Sequence, residues 1–441
     1  MARSALRTTG AVLVVTACAL AAGCSSAPKR TPRPPHLVVP GVAGPAGPAG
    51  PAGAGARAAA AGGSARAGTR GVVLLGGWAP GGRRDPVAAG SLAYFRWLNA
   101  RGGVYGRRID YRVLNDRGNA RLVPSLAHRL VQGDAVFAVF GSAGAPGAPT
   151  AGFLHLSGVP DVFSGTGCAC VNEAGRLPEV FGWPVEGRLE GSILGTYLAQ
   201  HDRGDRAVVI YTADRQERAE LAGFTAAASG IKLAATEPVA GVADAEVAVA
   251  SAKKARAGLV VVLSPADVTV AVAKAMTAAH LHAPLVAADS GIAAGLPDGT
   301  ITDSFLPSPA SPPKSAAASW MALFRKIRAK YLRGYPLSAA LIDGMSQAYE
   351  MAAALFRAGS QLTRQGLVAA LNGLLPGPSA APLAFSPTDH GGAEGAYMGT
   401  IRAGVIVPAS GVLIASSTSP RLVTAYAFPQ QTAPVNGIPA P

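Results

Sequence analysis

Short apolar runs alternate with amphipathic stretches along most of the chain after residue 70. Runs such as GVVLLGG, AVFAVFG and GLVVVLS have the length and composition of strands buried in a parallel sheet. Segments of about ten residues with helical periodicity separate these runs. Strands that alternate with helices in this way predict βαβ units and therefore an α/β fold.

The alternation occurs in two successive halves, each about the size of a small domain, which favours two lobes over one large sheet. A proline-rich segment, SFLPSPASPPKS (304–315), follows the second half. Helical periodicity then predicts three helices, over 317–332, 338–358 and 363–374. The last residues, 426–441, are polar and rich in proline, and we expect them to be disordered.

The stretch NARGGVYGRRIDYRVLND joins a predicted helix to a predicted strand. Gly102, Gly103 and Gly106 lie between the two elements. Because glycine adopts positive φ without strain, these positions predict a fixed reversal of the chain. The stretch is therefore a marker of the fold rather than a binding site.

The chain begins with the features of an export signal. Two arginines precede the apolar run Ala11–Ala22, which is too short to span a bilayer, and small residues lead into Cys24. This arrangement resembles the lipobox of bacterial lipoproteins, although Ala21 stands where that family usually has leucine. We predict a lipoprotein signal peptide over 1–24, lipid attachment at Cys24, and a disordered Pro/Gly/Ala-rich linker over 25–70.

The net charge of +14 is concentrated at the front of the chain. Of the 39 Lys and Arg residues, eight lie within residues 1–70, where no acidic residue occurs. The remaining 31 face 25 Asp and Glu residues, which leaves a net charge of +6 for residues 71–441. So mild an excess, without a basic stripe that includes aromatic residues, argues against a nucleic acid partner.

Cys168 and Cys170 are the two cysteines of the predicted mature body. Outside the cytoplasm they form either a local disulfide or two thiols, and the sequence leaves both open. Two sulfurs without histidine neighbours are a poor metal site, and His280 and His282 would diverge at a helix end. Since neither a nucleophile elbow nor a phosphate-binding loop occurs, we predict no catalytic residues, no metal and no cofactor.

Six segments in a familiar order resemble the type I periplasmic solute-binding proteins of the branched-chain amino acid class, which serve ABC transporters. They are NARGGVYGRRIDYRVLND, AVFAVFGSAG, SGVPDVFSGTG, FGWPVEGRLEG, AVVIYTAD and LAFSPTDHGG. The resemblance covers roughly residues 71–410. It implies two Rossmann-like lobes with parallel sheets, joined by a three-segment hinge, that close on a small ligand.

The resemblance also implies how the chain divides between the lobes. Lobe 1 would comprise residues 71–185 plus 313–380, and lobe 2 residues 186–312 plus 381–425. The three crossings would fall near Trp183–Gly187, Leu306–Pro313 and Ser379–Pro382.

In relatives, two loops of lobe 1 hold the head group of the ligand. The matching positions of the first loop are Ser142, Ala143 and Gly144, and those of the second are Ser164, Thr166, Gly167 and Cys168. Most hydroxyl groups of the first loop are missing here. Backbone amides would therefore have to bind an anionic group at that place.

Lobe 2 and the loop that follows the first predicted strand supply the remaining expected ligand positions. Asp289 falls where relatives pair an acidic residue with the ligand ammonium, and a helix cap is the competing interpretation. Gln216 and the residue after it stand where relatives have a tyrosine-glycine pair. Trp78 lies upstream of Arg83 and Arg84, one of which stands where relatives often have an aromatic residue. An arginine there would suit a carboxylate, unless both arginines face solvent.

The sequence thus predicts an extracytoplasmic, membrane-anchored lipoprotein of an ABC importer rather than an enzyme. Its expected ligand is an amino acid, an amide or a small carboxylate, and its expected partner is an ABC permease. We expect a monomer held at the membrane by its lipid. The alternative is a ligand-sensing or envelope interaction protein of the same fold with a diverged pocket.

Overall fold

The computed structural model describes residues 71–144, 147–201, 206–374, 377–415, 422–426 and 430–440. The predicted signal peptide, the lipid site Cys24 and the linker lie outside the described residues. The strands are β1 (Val72–Ala79), β2 (Arg108–Asn115), β3 (Ala138–Phe140), β4 (Asp161–Ser164), β5 (Val180–Gly182), β6 (Arg206–Thr212), β7 (Lys232–Val239), β8 (Leu259–Leu263), β9 (Leu285–Ala287), β10 (Ile301–Ser304), β11 (Gly395–Arg402), β12 (Val405–Ala415) and β13 (Val423–Ala425). The α-helices are α1 (Pro86–Asn99), α2 (Val123–His128), α3 (Ala148–Leu156), α4 (Gly187–His201), α5 (Arg215–Ala227), α6 (Ala245–Lys254), α7 (Ala266–Ala278), α8 (Ala316–Tyr331), α9 (Ala339–Arg357) and α10 (Arg364–Asn372).

The first sheet forms the centre of lobe 1 and is parallel throughout. Its strand order is β2-β1-β3-β4-β5. The helix before β2 begins at Pro86, because proline fits the first helical position and the Asp85 carboxylate accepts from the amides of Val87 and Ala88. The turn into β2 is closed by Asn99, whose side chain bonds both the amide and the carbonyl of Ile109 at 2.8 Å.

The second sheet forms the centre of lobe 2 and is mixed. Its order is β13-β12-β11-β10-β9-β8-β6-β7, with parallel pairing from β7 to β10 and antiparallel pairing from β10 to β13. The prediction of an α/β fold is confirmed. The expectation that the second sheet is also purely parallel is wrong. The chain returns from lobe 1 after α10 and adds β11 antiparallel to β10, and β12 and β13 then extend the sheet as antiparallel neighbours.

Helices cover both faces of the second sheet at its central strand β8, so this strand is apolar on both sides. Alternate residues of β8 enter different cores. Val260 and Val262 pack with α6 and α7, whereas Leu259 and Val261 pack with α4 and α5. This arrangement explains why the run GLVVVLS carries no polar alternation.

Three chain segments cross between the lobes, as the fold prediction requires. The first lies between β5 and α4, the second between β10 and α8, and the third between α10 and β11. The first and third are bonded to each other, since the Gly182 amide donates to the His390 carbonyl and the Ala393 amide to the Trp183 carbonyl. His390 is buried and stacks against Phe181, so it has a structural role at this crossing.

Each lobe contains one pair of helices that cross at backbone contact distance. In lobe 1, a Cβ added to Gly344 of α9 would lie 1.8 Å from the Val87 carbonyl oxygen of α1. In lobe 2, a Cβ added to Gly223 of α5 would lie 2.0 Å from the Arg188 carbonyl oxygen of α4. Only glycine permits such an approach. All four helices begin on the side of the lobe that faces the hinge cavity described below.

Residues 430–440 pack against lobe 1, so the disorder predicted for the tail 426–441 is wrong over this part. Three buried aromatic side chains of α1 and α8 donate to tail carbonyls: Trp320 to Gln431 (3.0 Å), Trp97 to Asn436 (3.1 Å) and Tyr94 to Gly437 (2.9 Å). Buried indole and phenol groups need an acceptor. The composition of the tail gives no sign that the body supplies such donors.

Among the residues that the structure describes, no helix is both long and apolar enough to cross a bilayer.

We expect Gly344→Ala to destabilise the protein by about 2–3 kcal/mol, because the new methyl group must force α1 and α9 apart. The matched control is Gly152→Ala in α3, where an added Cβ meets nothing within 4 Å. That change should stabilise the helix by up to about 1 kcal/mol. Urea unfolding midpoints check both, and equal effects of the two substitutions would contradict the close crossing.

Candidate functional site

A cavity of about 580 Å³ lies between the two lobes. Lobe 1 contributes the loop after β4 and the start of α9, and lobe 2 contributes the segment after β9 and the turn between β11 and β12. The walls next to the hinge come from the crossings, at residues 183–185 and 305–309. The volume is typical of a site for a small molecule.

Four of the residues expected at the ligand line this cavity, namely Thr166, Gly167, Gln216 and Asp289. The other seven do not line it: Trp78, Arg83, Ser142, Ala143, Gly144, Ser164 and Cys168. The structure therefore brings together the second loop of lobe 1 and the two positions of lobe 2, but not the first loop.

Most of the expected ligand residues that do not line the cavity form hydrogen bonds within lobe 1. Trp78 is fully buried, and its indole N–H donates to the Ala143 carbonyl at 3.2 Å. Ser142 is also buried, and its hydroxyl donates to an Asp161 carboxyl oxygen at 3.2 Å. Ser164 bonds the Gly144 carbonyl at 3.3 Å. These groups hold β3 and β4 together, so they are satisfied without a ligand.

Arg83 and Arg84 are exposed in a short 3-10 turn and do not reach the cavity. The interpretation that they face solvent is the one that the structure supports. Among the described residues that line the cavity, none is lysine or arginine. An anionic ligand held by an arginine fork therefore has no support in this geometry.

The backbone amides of the second loop already have partners within the protein. The Gly165 amide donates to the Ser142 carbonyl at 2.8 Å and the Thr166 amide to the Ser164 carbonyl at 2.9 Å. The Cys168 amide donates to the Thr166 hydroxyl at 3.1 Å. The expected use of these amides to bind a ligand anion would require breaking existing hydrogen bonds.

Gln216 links the two lobes through this loop. Its carbonyl oxygen accepts from the Gly167 amide at 2.9 Å and from the Thr166 hydroxyl at 3.0 Å, while its amide nitrogen donates to Glu220 at 2.9 Å. The Gly187 amide adds a bond to the Gly167 carbonyl at 2.8 Å. Side chain and backbone of lobe 2 thus occupy groups of lobe 1 that were expected to face a ligand.

Cys168 and Cys170 form a disulfide with their Cα atoms 5.1 Å apart. The bridge closes the same loop, since the Cys168 residue follows Gly167 directly and its side chain is buried. Within the described part of the chain, no group of three or more His, Cys, Asp or Glu side chains is placed to hold a metal ion.

Lobe 2 places a cluster of carboxyl groups at the cavity. The Asp289 amide donates to a carboxyl oxygen of Glu190 at 2.8 Å and to one of Asp303 at 3.1 Å. Glu190 and Asp303 are buried, and all three residues line the cavity. Asp289 begins a 3-10 turn without capping it through its side chain, which disfavours the helix-cap interpretation.

Burial raises the pKa of each carboxyl in this cluster, because the charged form loses its water. The pKa of Asp289 is raised to about 6, against the opposing effect of a hydrogen bond from Ser304. For Glu190 and Asp303, burial and then the neighbouring carboxyls hold the pKa well above its usual range. Glu220, behind the cluster, has its pKa raised to about 7 by burial.

Two buried carboxyl oxygens, both on residues that line the cavity, have no hydrogen-bond partner among the described residues. They are Oδ2 of Asp303 and Oε2 of Glu217. An unpaired buried acceptor costs free energy that a donor on a bound molecule would recover. These two atoms are therefore the strongest structural sign that the cavity receives a ligand with N–H or O–H groups.

Asp343 of α9 is the one acidic residue that lobe 1 contributes to the described cavity lining. The Trp183 indole and the Gln347 amide both donate to its Oδ1. Burial raises the pKa of Asp343 to about 7, in spite of the indole hydrogen bond. The side chain connects a hinge crossing to the lobe 1 wall.

Three helix N-termini around the cavity are capped by side chains of the protein itself. Asp85 caps α1, Asp214 caps α5 and Ser338 caps α9. Glu190 and Glu217 lie in the first turns of α4 and α5. Because helix N-termini carry a partial positive charge, these acidic groups occupy positions where a ligand anion would otherwise be favoured.

Sequence reasoning missed Glu190, Asp303 and Asp343. Glu190 lies within the segment GRLEG on the buried side of a helix, and Asp303 lies within the buried strand ITDS. The available signal was an acidic residue inside a buried strand or on the buried side of a helix, which is rare without a functional or paired role. Nothing in the sequence shows that the three side chains meet at one cavity.

Comparison with known proteins agrees with this architecture. The family model described as "Periplasmic binding protein" matches residues 76–425, and the chain belongs to this family. The family is one of binding proteins, which agrees with the solute-binding role predicted from the sequence. No curated protein matches the chain.

Solved structures with the same fold differ in the ligands that their titles name. A substrate-binding periplasmic protein from Ralstonia solanacearum has a TM-score of 0.64 and 20% identity, covering 76% of this chain and 99% of its own. A branched-chain amino acid ABC transporter protein from Thermus thermophilus with bound valine has a TM-score of 0.65 and 17% identity, covering 78% and 96%. A fatty acid ABC transporter substrate-binding protein from Thermomonospora curvata has a TM-score of 0.63 and 15% identity, covering 83% and 94%. The likeness establishes the fold and leaves the ligand to the cavity itself.

We expect the ligand-free protein to be more stable at pH 5 than at pH 8. In the unfolded chain these carboxyls ionise near pH 4, whereas in the folded state the pKa is about 6 for Asp289 and about 7 for Asp343. Between these values the folded state binds more protons than the unfolded state, so stability falls as the pH rises. The melting temperature should drop by about 3 °C or more over this range.

Asp343→Asn should flatten this dependence, because it removes one titrating group while keeping an acceptor for the Trp183 indole. Asp110→Asn, on the exposed side of β2, is the matched control and should leave the slope unchanged. A melting temperature that rises towards pH 8 would contradict the assignment.

We expect Gln216→Ala to shift the ligand-free protein towards an open form by about tenfold or more, because two hydrogen bonds between the lobes are lost. Small-angle scattering should then show a larger radius of gyration. Gln365→Ala, at an exposed position of α10, is the control. Identical scattering from the wild type and both variants would show that Gln216 does not hold the lobes together.

Proposed function

We propose that this protein is the extracytoplasmic solute receptor of an ABC importer. The observation that carries the proposal is the cavity between the lobes, whose walls come from both lobes and from the hinge crossings. A ligand in this position contacts both lobes at once, so it binds the closed form better than the open form. That difference in affinity is what drives closure.

The export features at the front of the chain support delivery to a membrane permease. Cys24 would carry a lipid, and the linker 25–70 would let the body reach the permease while it stays tethered. Two lobes of one chain complete the cavity, which suits action as a monomer.

Asp289 supports recognition of a nitrogen-bearing solute. It lines the cavity and belongs to the carboxyl cluster of lobe 2. Of the ligand classes expected from the sequence, the amino acid and the amide keep this support through their N–H groups. The small carboxylate has no comparable support, because Arg83 is exposed and the loop amides already have partners within the protein.

A thermal shift screen of the full chain with amino acids, amides, amines and sugars tests the function. At least one solute class should raise the melting temperature, since a ligand at 100 times its Kd adds about 2.7 kcal/mol of stability. Ala340→Trp, which fills the cavity wall at the start of α9, should abolish the shift. Ala250→Trp, exposed on α6, should preserve it.

Equal shifts in the Ala340→Trp and Ala250→Trp variants would place the binding elsewhere and overturn the proposed site. Binding without any effect of the protein on uptake of that solute into cells would favour the sensing role over import.

A further inference from the structure

We propose that the ligand of this cavity is an organic cation that carries no acidic group, with its charged nitrogen between Asp289 and Asp303 and its hydrocarbon part against Trp183 and Phe305. The proposal rests on the proposed function and narrows its ligand class. It differs from recognition of a whole amino acid, in which one end of the site must bind a carboxylate.

The first step is the sign of the charge around the cavity. Lobe 2 supplies the carboxyl cluster, lobe 1 supplies Asp343, and the described lining contains neither lysine nor arginine. Carboxyl groups that share one low-dielectric site repel each other when ionised. A bound cation relieves this repulsion, whereas a bound carboxylate adds to it.

The second step is the unpaired oxygen of Asp303. The residue is fully buried, its Oδ1 accepts from the Asp289 amide, and its Oδ2 has no partner among the described residues. Asp303 lies on the strand β10 and is one of the residues that line the cavity. A charged N–H donor from a ligand would favour release of the Asp303 proton to solvent and would form a strong hydrogen bond with the ionised carboxylate, because charge-assisted bonds are stronger than neutral ones.

The third step concerns the loop amides and helix N-termini at the cavity, which already have partners within the protein. The amides of residues 165–168 donate to protein acceptors, two of them to Gln216 and Thr166 side chains. Three helix N-termini at the cavity are capped by side chains of the protein. An α-carboxylate would have to displace one of these partners and would lie in a site that is already acidic.

The fourth step is the apolar remainder of the cavity. Trp183 and Phe305 are buried next to the hinge with their ring centroids 5.8 Å apart, and Leu296 and Ile292 line the lobe 2 wall. Aromatic faces attract cations, and the aliphatic side chains suit a hydrocarbon chain. The cavity therefore accommodates an amine with an apolar body better than a small, fully hydrated ion.

The test compares compounds that differ only by a carboxylate, using calorimetry on the full chain. The pairs are 3-methylbutylamine with leucine and 1,5-diaminopentane with lysine, and 4-methylpentanoate and 4-methylpentanamide complete the set. At least one amine should bind at least ten times more tightly than its matching amino acid. The carboxylate without an amine should not bind.

Asp303→Asn should weaken binding of that amine at least tenfold, and Asp289→Asn should do the same. Asp110→Asn on β2 is the control and should leave the affinity unchanged. Circular dichroism and the melting temperature establish that each variant is folded. Because two substitutions are used, failure of one variant to fold leaves the prediction testable through the other.

An amino acid that binds as tightly as its amine, or binding only of the amide or the carboxylate, would overturn the cation assignment and leave the solute-binding function intact. Amine binding that survives both substitutions would overturn the assignment as well. If no solute of any class binds, in this set or in the wider screen, the proposed function itself fails.

Discussion

The close crossing of two helix pairs is the constraint on which the rest of the structure depends. Gly344 in lobe 1 and Gly223 in lobe 2 leave no room for a side chain between backbones. These contacts fix where α1, α9, α4 and α5 begin, and all four begin at the cavity. The positions of Glu190, Gln216 and Asp343 follow directly, because each lies within the first turns of one of these helices.

Rigid placement explains how the protein tolerates so many buried carboxyl groups. Isolated buried charges are costly, and these groups reduce the cost by keeping their protons longer and by accepting backbone amides. Packing of the surrounding sheet and helices supplies the stability that holds them there. The cluster is therefore a strained feature kept in place by the fold, as is common at ligand sites.

The fold could be predicted from the sequence because it depends on repeated local patterns. The alternation of apolar runs with helical segments indicates most strands and the long helices, whereas the start of α1 at Pro86 and its cap by Asp85 are seen only in the structure. The site could not be predicted in the same way. Whether Arg83 points to the cavity, or whether Glu190 meets Asp303 across 113 positions of sequence, depends on tertiary packing. The tail shows the same limit, since its order comes from donors on distant helices.

The two lobes contribute differently to closure. Lobe 1 offers a loop of which one amide and one hydroxyl bind Gln216, while lobe 2 offers carboxyl oxygens that have no partner among the described residues. Part of the closing free energy is thus supplied by contact between the lobes and is independent of any solute. A ligand then needs to add only the remaining difference in affinity between the open and closed forms. Because the unsatisfied groups lie on the lobe 2 wall, that difference must come mainly from groups that lobe 2 recognises.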